Sequence, residues 1–319
     1  MLDTSIINRI KGCLYGQAIG DALGLGTEFM TKEEVKRYYP LGLNSYNQII
    51  QDQHRKRWVK GDWTDDTDMM ICLLKAFNSR GFIVSDAAVN FKEWYNGVPM
   101  GIGRNTIKVL IWSDYTENPF LASKIIWESS RKSSAPNGAL MRTSVMGLWP
   151  TFNEKWIIDA CMLTHYDPRC QYSCLIASRI IYNLVWNNYL PDYKEVYELA
   201  LSLDEEAAEF VKLAYNSKLI DYLELDKQPG IGYTYRALSA ALWSLWHADS
   251  FVDGLLKIVN EGGDADTNAA ISCAILGARF GYSSIPLNYI DSLYYKQEYN
   301  KIVSEFIHVM EAYSLQKRL

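Results

Sequence analysis

Apolar residues recur along this chain three and four positions apart, and seldom alternate. Ile6, Ile10, Cys13 and Leu14 follow that spacing over residues 5–23, as expected of a helix with a buried stripe. Met69, Met70, Leu73, Leu74 and Phe77 repeat it, predicting a helix over 67–79. Ser85 opens a further segment ending near Asn96-Gly97. Others are predicted over 120–131, 153–164, 170–188, 203–217, 234–248, 250–260, 267–281 and 298–316. Pro119, Pro136, Pro150, Pro168, Pro191 and Pro286 punctuate these segments, mostly at their starts. A polar stretch over about 30–63 reads as loop, and runs of period two are few. The pattern predicts an all-α fold, a compact multi-helix bundle. No Pro/Gly/Ser-rich seam, tandem repeat or low-complexity stretch divides the chain, so one domain is expected over 1–319.

Within the first helix Gly12, Gly16, Gly20 and Gly24 recur every four residues. Each glycine costs a helix up to about 1 kcal/mol against alanine. Aligned at i+4 they leave one bare stripe, on which a second helix can pack closely.

Two acidic clusters stand out against this background. Trp63-Thr64-Asp65-Asp66-Thr67-Asp68 precedes an apolar helix. Gly262-Gly263-Asp264-Ala265-Asp266-Thr267-Asn268 precedes a helix of small residues, Ala269, Ala270, Ser272, Cys273, Ala274, Gly277 and Ala278. Asp and Thr at such places cap free N–H groups and suit the helix dipole. Capping explains one acid; it does not explain two carboxylates and a threonine, twice over. Carboxylates packed together repel and resist ionisation, and a divalent cation removes that penalty. The candidate ligands are all oxygens, which suits Mg²⁺ or Mn²⁺ and disfavours zinc or copper. Asp65, Asp66, Asp264 and Asp266 carry charge for two such ions, and Thr64 and Thr267 add hydroxyls. Such a centre orients a substrate, polarises it and activates water.

Composition narrows the partners. The net charge of −5 implies no general nucleic-acid affinity. The local basic run His54-Arg55-Lys56-Arg57 reads as a solvated loop. The N-terminus lacks the pattern of a secretory signal, and no apolar run reaches the ~18 residues of a membrane span. The six cysteines lie mostly in apolar stretches without a C-x-x-C spacing, so they read as reduced packing residues of a cytoplasmic protein.

These residues carry a resemblance. In order, the chain shows Gly16-Gln17-Ala18-Ile19-Gly20-Asp21-Ala22-Leu23-Gly24 with Glu28, then Trp63 to Thr67, then Asn137-Gly138-Ala139-Leu140-Met141-Arg142. Thr164-His165-Tyr166-Asp167-Pro168 follows, and then Gly262 to Asn268 with Gly277-Ala278. Together they resemble the ADP-ribosylglycohydrolases, the group that includes the dinitrogenase-reductase-activating type, over about residues 11–286. The resemblance implies an all-α orthogonal fold, a binuclear Mg²⁺ or Mn²⁺ centre, and hydrolysis at the terminal ribose C1 of an ADP-ribosylated protein or small ADP-ribose conjugate.

Residue by residue, it implies metal ligation by Thr64, Asp65, Asp66, Asp264, Asp266 and Thr267. Glu28, Asp65 and Asp266 become the catalytic candidates, with Glu28 handling water or substrate. Gly101, Gly103, Arg104, Asn105 and Thr106 match a phosphate-contacting loop, and Asn137 and Gly138 the ribose side. His165 matches a place near the substrate, and Tyr233 is a candidate adenine platform. Arg142 reads as one half of a structural ion pair. The chain departs from many members at Gly101, where they carry an aspartate, and this sets arginine-linked substrates in question. Other readings remain at this point: a nucleotide-binding homologue without turnover, an all-α Mg²⁺-dependent prenyl-diphosphate enzyme, and a phosphatase loop at Asp264-Ala265-Asp266-Thr267. That last reading requires a preceding buried strand.

Overall fold

The computed structural model describes residues 2–316. The first half contains helices α1 (Thr4–Gly24), α2 (Lys32–Tyr38), α3 (Asp65–Leu74), α4 (Val84–Asn96), α5 (Arg104–Leu110), α6 (Pro119–Ser129) and α7 (Glu154–Met162). The second half contains α8 (Pro168–Trp186), α9 (Tyr193–Leu203), α10 (Glu205–Asn216), α11 (Thr234–His247), α12 (Phe251–Val259), α13 (Ala265–Phe280), α14 (Leu287–Asp291) and α15 (Lys296–Gln316). Short 3-10 turns join several of them. None of the described helices is long and apolar enough to cross a membrane.

The close pair at the centre is α1 and α13. A Cβ added at Gly12, Gly16, Gly20 or Gly24 would lie 2.2, 2.1, 2.2 or 2.4 Å from the carbonyl oxygen of Gly277, Cys273, Ala269 or Ala265 respectively. The contacts step down one helix as they step up the other, so the two run antiparallel with backbone against backbone. The glycine spacing is therefore the cause of the crossing, and its cost in helix propensity is offset by dispersion contacts along both helices.

Three local expectations are corrected. The stretch 30–63 is not all loop: α2 forms there, with Thr31 and Glu34 as a reciprocal capping box. The helix expected over 67–79 ends at Leu74, and Phe77 instead pairs with Phe82 across a two-residue hairpin. Phe77 stacks on Trp149 at 4.6 Å between ring centroids, so its burial comes from the hairpin rather than from a helical face. Helix α9 was not expected. Asp204 separates it from α10 and caps the latter through the Glu206 N–H.

The chain before Asp264 is helix α12, not a strand. The phosphatase reading of Asp264-Ala265-Asp266-Thr267 therefore fails. All six cysteines are buried and unpaired.

Candidate active site

Two helix N-termini meet at one place. Thr64 is the N-cap of α3 and Asp264 that of α13. The α1–α13 crossing decides the meeting point, because Gly24 lies against Ala265. The chain leaving α1 must therefore pass over the first turn of α13, and Glu28 sits on that passage. It is pinned there by two backbone bonds: Phe29 N–H to the Gly263 carbonyl at 2.6 Å, and Gly263 N–H to the Met30 carbonyl at 2.8 Å. Gly262 and Gly263 hold φ of 74° and 70°, a region that favours glycine. Carboxylate oxygens of Glu28, Asp264 and Asp266 consequently lie within 4.8 Å of one another.

The first cluster is placed by Asp21. Its Oδ1 accepts from the Thr64 N–H at 3.0 Å and the Thr64 hydroxyl at 2.8 Å. Its Oδ2 accepts from the Thr67 N–H at 3.0 Å and the Thr67 hydroxyl at 2.6 Å. Gln17, one turn earlier on α1, donates to the Met141 carbonyl at 2.9 Å. Helix α1 thus carries the framework for both acidic clusters and for the 137–148 segment.

Capping does not account for the acids. Asp264 makes no capping bond; its Oδ2 accepts from Asn137 Nδ2 at 2.6 Å. Asp66 Oδ1 is buried without a hydrogen-bond partner. Burial, then neighbouring negative charge, pushes Asp65, Asp66 and Asp266 well above the ordinary carboxylate range. Burial raises Asp264 to about 7, with Glu28 adding to the rise against the Asn137 hydrogen bond. An orphaned buried carboxylate oxygen, crowded acids and an all-oxygen donor set fit a hard divalent cation. Asp68 is turned away, its two oxygens accepting from the indoles of Trp63 and Trp94 at 2.8 and 3.0 Å.

These groups floor a cavity of about 440 Å³, within the ~300–1,000 Å³ usual for ligand sites. Glu28, Asp65, Asp66, Asp264, Asp266 and Thr267 line it. Gly101, Gly103, Arg104, Asn105 and Thr106 also line it, as do Asn137, Gly138 and His165. Thr64 lies behind Asp66, 3.2 Å from its Oδ2. Tyr233 is not among the lining residues. It donates its hydroxyl to Glu206 at 2.8 Å and packs edge-on to Phe210 and Tyr235.

His165 is buried, and both burial and the nearby Arg142 charge hold its pKa well below the ordinary value, so the ring is neutral. Its Nδ1 lies 2.7 Å from the Thr164 hydroxyl, which also accepts from Arg142 at 2.8 Å. The remaining hydroxyl proton then goes to Nδ1, which leaves Nε2 as a donor on the cavity side. Arg142 corrects an expectation. Among the described residues it makes no ion pair; it donates to the Gly138 and Ala160 carbonyls and lies 4.5 Å over the Phe91 ring. Carbonyls, the Thr164 hydroxyl and a π-face surround it where a carboxylate was expected, and its Nε is buried without a hydrogen-bond partner.

The basic run 54–57 is also not a solvated loop. Arg55 is buried and donates to the carbonyls of Leu25, Gly26 and Glu28 and to Asp52. His54 Nε2 lies 2.6 Å from Glu28 Oε2. Sequence reasoning missed Asp21, His54 and Phe29 at this site. Asp21 had a visible signal, an acid inside a helix of small and apolar residues. His54 and Phe29 had none.

Comparison with known proteins agrees with this geometry. The ADP-ribosylglycohydrolase family model matches residues 2–316. ADP-ribosyl-[dinitrogen reductase] glycohydrolase from Rhodospirillum rubrum is 28% identical, over 93% of this chain and 94% of its own. ADP-ribosylarginine hydrolase Tri1 from Serratia proteamaculans is 27% identical, over 96% of this chain and 81% of its own. A solved structure described as an ADP-ribosylglycohydrolase-related protein complex superposes with a TM-score of 0.75 at 23% identity, over 98% of this chain and 99% of that one, and so shares the fold. The chain belongs to the ADP-ribosylglycohydrolase family, and its activity is hydrolysis of an ADP-ribosyl bond.

Proposed function

We propose that this chain releases ADP-ribose from a modified protein side chain or a small conjugate, by cleavage at the terminal ribose C1. The observation that carries this is the convergence of Asp65-Asp66 and Asp264-Ala265-Asp266 on Glu28 in a cavity also lined by Gly101, Gly103, Arg104, Asn105 and Thr106. Thr64, Asp65, Asp66, Asp264, Asp266 and Thr267 would hold two divalent cations, Mg²⁺ or Mn²⁺. Bound there, the cations would supply Lewis-acid polarisation and charge neutralisation.

The chain's own groups divide the remaining work. Arg104 and Lys108, one turn apart on α5, both line the cavity and bring positive charge to a diphosphate, alongside the loop N–H groups at Gly101 and Gly103. His165 presents a neutral N–H donor to a ribose hydroxyl or phosphate oxygen. Asn137 holds Asp264 in place. Glu28, beside Asp264 and Asp266, orients a water toward C1 and accepts its proton; the hydroxyl adds to C1, and the leaving group takes up that proton as its bond to C1 breaks. Asp65 and Asp266 hold the sugar end of the substrate against that water. We further read the chain as one domain, and its unpaired cysteines support a cytoplasmic setting.

The test is product release from ADP-ribosyl-arginine and ADP-ribosyl-serine peptides, each with Mg²⁺ and with EDTA. Metal-dependent release of ADP-ribose from either supports the reading and selects the linkage. Release unaffected by EDTA would overturn the two-metal assignment. Tight ADP-ribose binding without release from either peptide would point to a different leaving group or to a binding role.

A further inference from the structure

We propose that His54 is a positioning residue for Glu28, locked in one tautomer by Arg57; this rests on the role given to Glu28 above. The two residues are 26 positions apart and meet only through the fold. Arg57 Nη2 donates to His54 Nδ1 at 2.9 Å, and Arg57 Nε donates to the His54 carbonyl at 3.0 Å. A guanidinium carries donors alone, so Nδ1 is the acceptor. The proton of the neutral ring is therefore on Nε2, which donates to Glu28 Oε2 at 2.6 Å.

The ring has little room to turn. It sits between Phe29 and Trp58, with centroids 5.3 and 5.4 Å away. Trp58 is itself covered by the Arg57 guanidinium at 4.4 Å. Phe29 holds φ of 62°, fixed by the bond from its N–H to Gly263. Arg55 holds the Glu28 carbonyl from below.

The consequence is a division of the Glu28 carboxylate. Oε2 is engaged from the protein side, and Oε1 is left for the cavity. A free glutamate side chain loses rotamer freedom on being held at a substrate; here part of that ordering is done in advance. Glu28 is given no cation to hold here, so ordering it in advance acts on rate through the orientation of the reacting group. No other residue bonded to the Glu28 carboxylate is found among the described residues.

The experiment compares His54→Phe with His54→Gln in the full chain. Phenylalanine keeps a ring between Phe29 and Trp58 and removes the donor, whereas glutamine returns an N–H near the Nε2 position. The expected result for His54→Phe is a kcat about ten- to a hundredfold lower. KM, the Mn²⁺ dissociation constant by calorimetry and the melting temperature should stay close to native. His54→Gln should recover most of the loss. Native kcat in His54→Phe, or equal loss in both variants, would overturn the proposal. A second readout does not depend on turnover: the ¹H–¹⁵N correlation spectrum of the His54 ring. An Nε2–H form that shifts in Glu28→Gln and averages in Arg57→Met upholds the contact. Averaging between tautomers in the native chain overturns it. A native chain with the expected spectrum but no hydrolysis of any ADP-ribosyl substrate would overturn the function proposed above, while the His54–Glu28 contact stands.

Discussion

Asp21 gives one carboxylate oxygen to the backbone and hydroxyl of Thr64, at 3.0 and 2.8 Å, and the other to the same pair of groups on Thr67. Four donors converge on a group that is fully buried. The first turn of α3 is thereby fastened to α1, and Asp65 and Asp66 are carried on that turn. Asp21 acts on the proposed centre without facing the cavity.

Replacing Asp21 by Asn tests this. An amide can accept with only one end, so either Thr64 or Thr67 loses the acceptor for two donors. Affinity for Mn²⁺, measured by calorimetry, should fall about ten- to a hundredfold, the usual cost of losing an orienting partner. Each unsatisfied buried donor also costs about 1–3 kcal/mol of stability. Unchanged affinity would show that the Thr64–Thr67 turn holds its own shape.

Much of this site is legible in the chain because its ligands come in short clusters at helix starts. Asp65-Asp66 and Asp264-Ala265-Asp266 each exceed what capping requires, and that excess is visible without a structure. The glycine stripe of α1 announces a close helix partner, though nothing local names α13 as that partner. Asp21 escapes because its partners lie 43 and 46 residues away. His54 escapes because an exposed-looking basic run has the same composition whether it faces solvent or backs a glutamate. Tyr233 shows the converse: its place after Gly230-Ile231-Gly232 suggested a platform, yet its hydroxyl is committed to Glu206.

The loop facing the acids yields a paired prediction. A Cβ at Gly101 would lie 2.8 Å from Asp65 Oδ1, and φ there is 85°, whereas a Cβ at Gly103 would meet nothing within 4 Å. Gly101→Ala must displace Asp65 and also strain its own backbone, at a cost of about 1–3 kcal/mol. Metal-dependent turnover should fall at least about tenfold, since a misplacement near 1 Å can cost ~100-fold. Gly103→Ala should stay within about 0.5 kcal/mol of native stability, as open surface sites do. Equal activity in the two variants would remove Gly101 from the centre.

The helix crossing is the most demanding part of the fold. A methyl at Gly20 would sit 2.2 Å from the Ala269 oxygen and 2.6 Å from its carbonyl carbon. Alanine gains about 1 kcal/mol of helix propensity, which does not offset forcing two backbones apart; overpacking typically costs ~1–3 kcal/mol or more. Gly20→Ala should therefore lower the midpoint of denaturant unfolding and, by tilting α13, weaken Mn²⁺ binding as well. A stabilised variant would mean that the two helices can separate freely, contrary to the packing described.

The acidic centre should also make the metal-free protein lose stability as pH rises. Burial holds Asp21 and Asp264 at about 7 in the folded chain, against an ordinary value of 3.8. Between those values the folded chain keeps protons that the unfolded chain has released, so stability falls as pH climbs through that window. Divalent cations bind the ionised carboxylates, so their affinity rises over the same window and they stabilise by mass action. The melting temperature with Mn²⁺ minus that with EDTA isolates the site from other titrating groups. That difference should be small near about pH 5 and grow by several degrees toward about pH 8. Ion pairs elsewhere in the fold do not enter the difference, because they are present in both samples. A constant difference across the range would show that ionisation of Asp264 is not linked to cation binding.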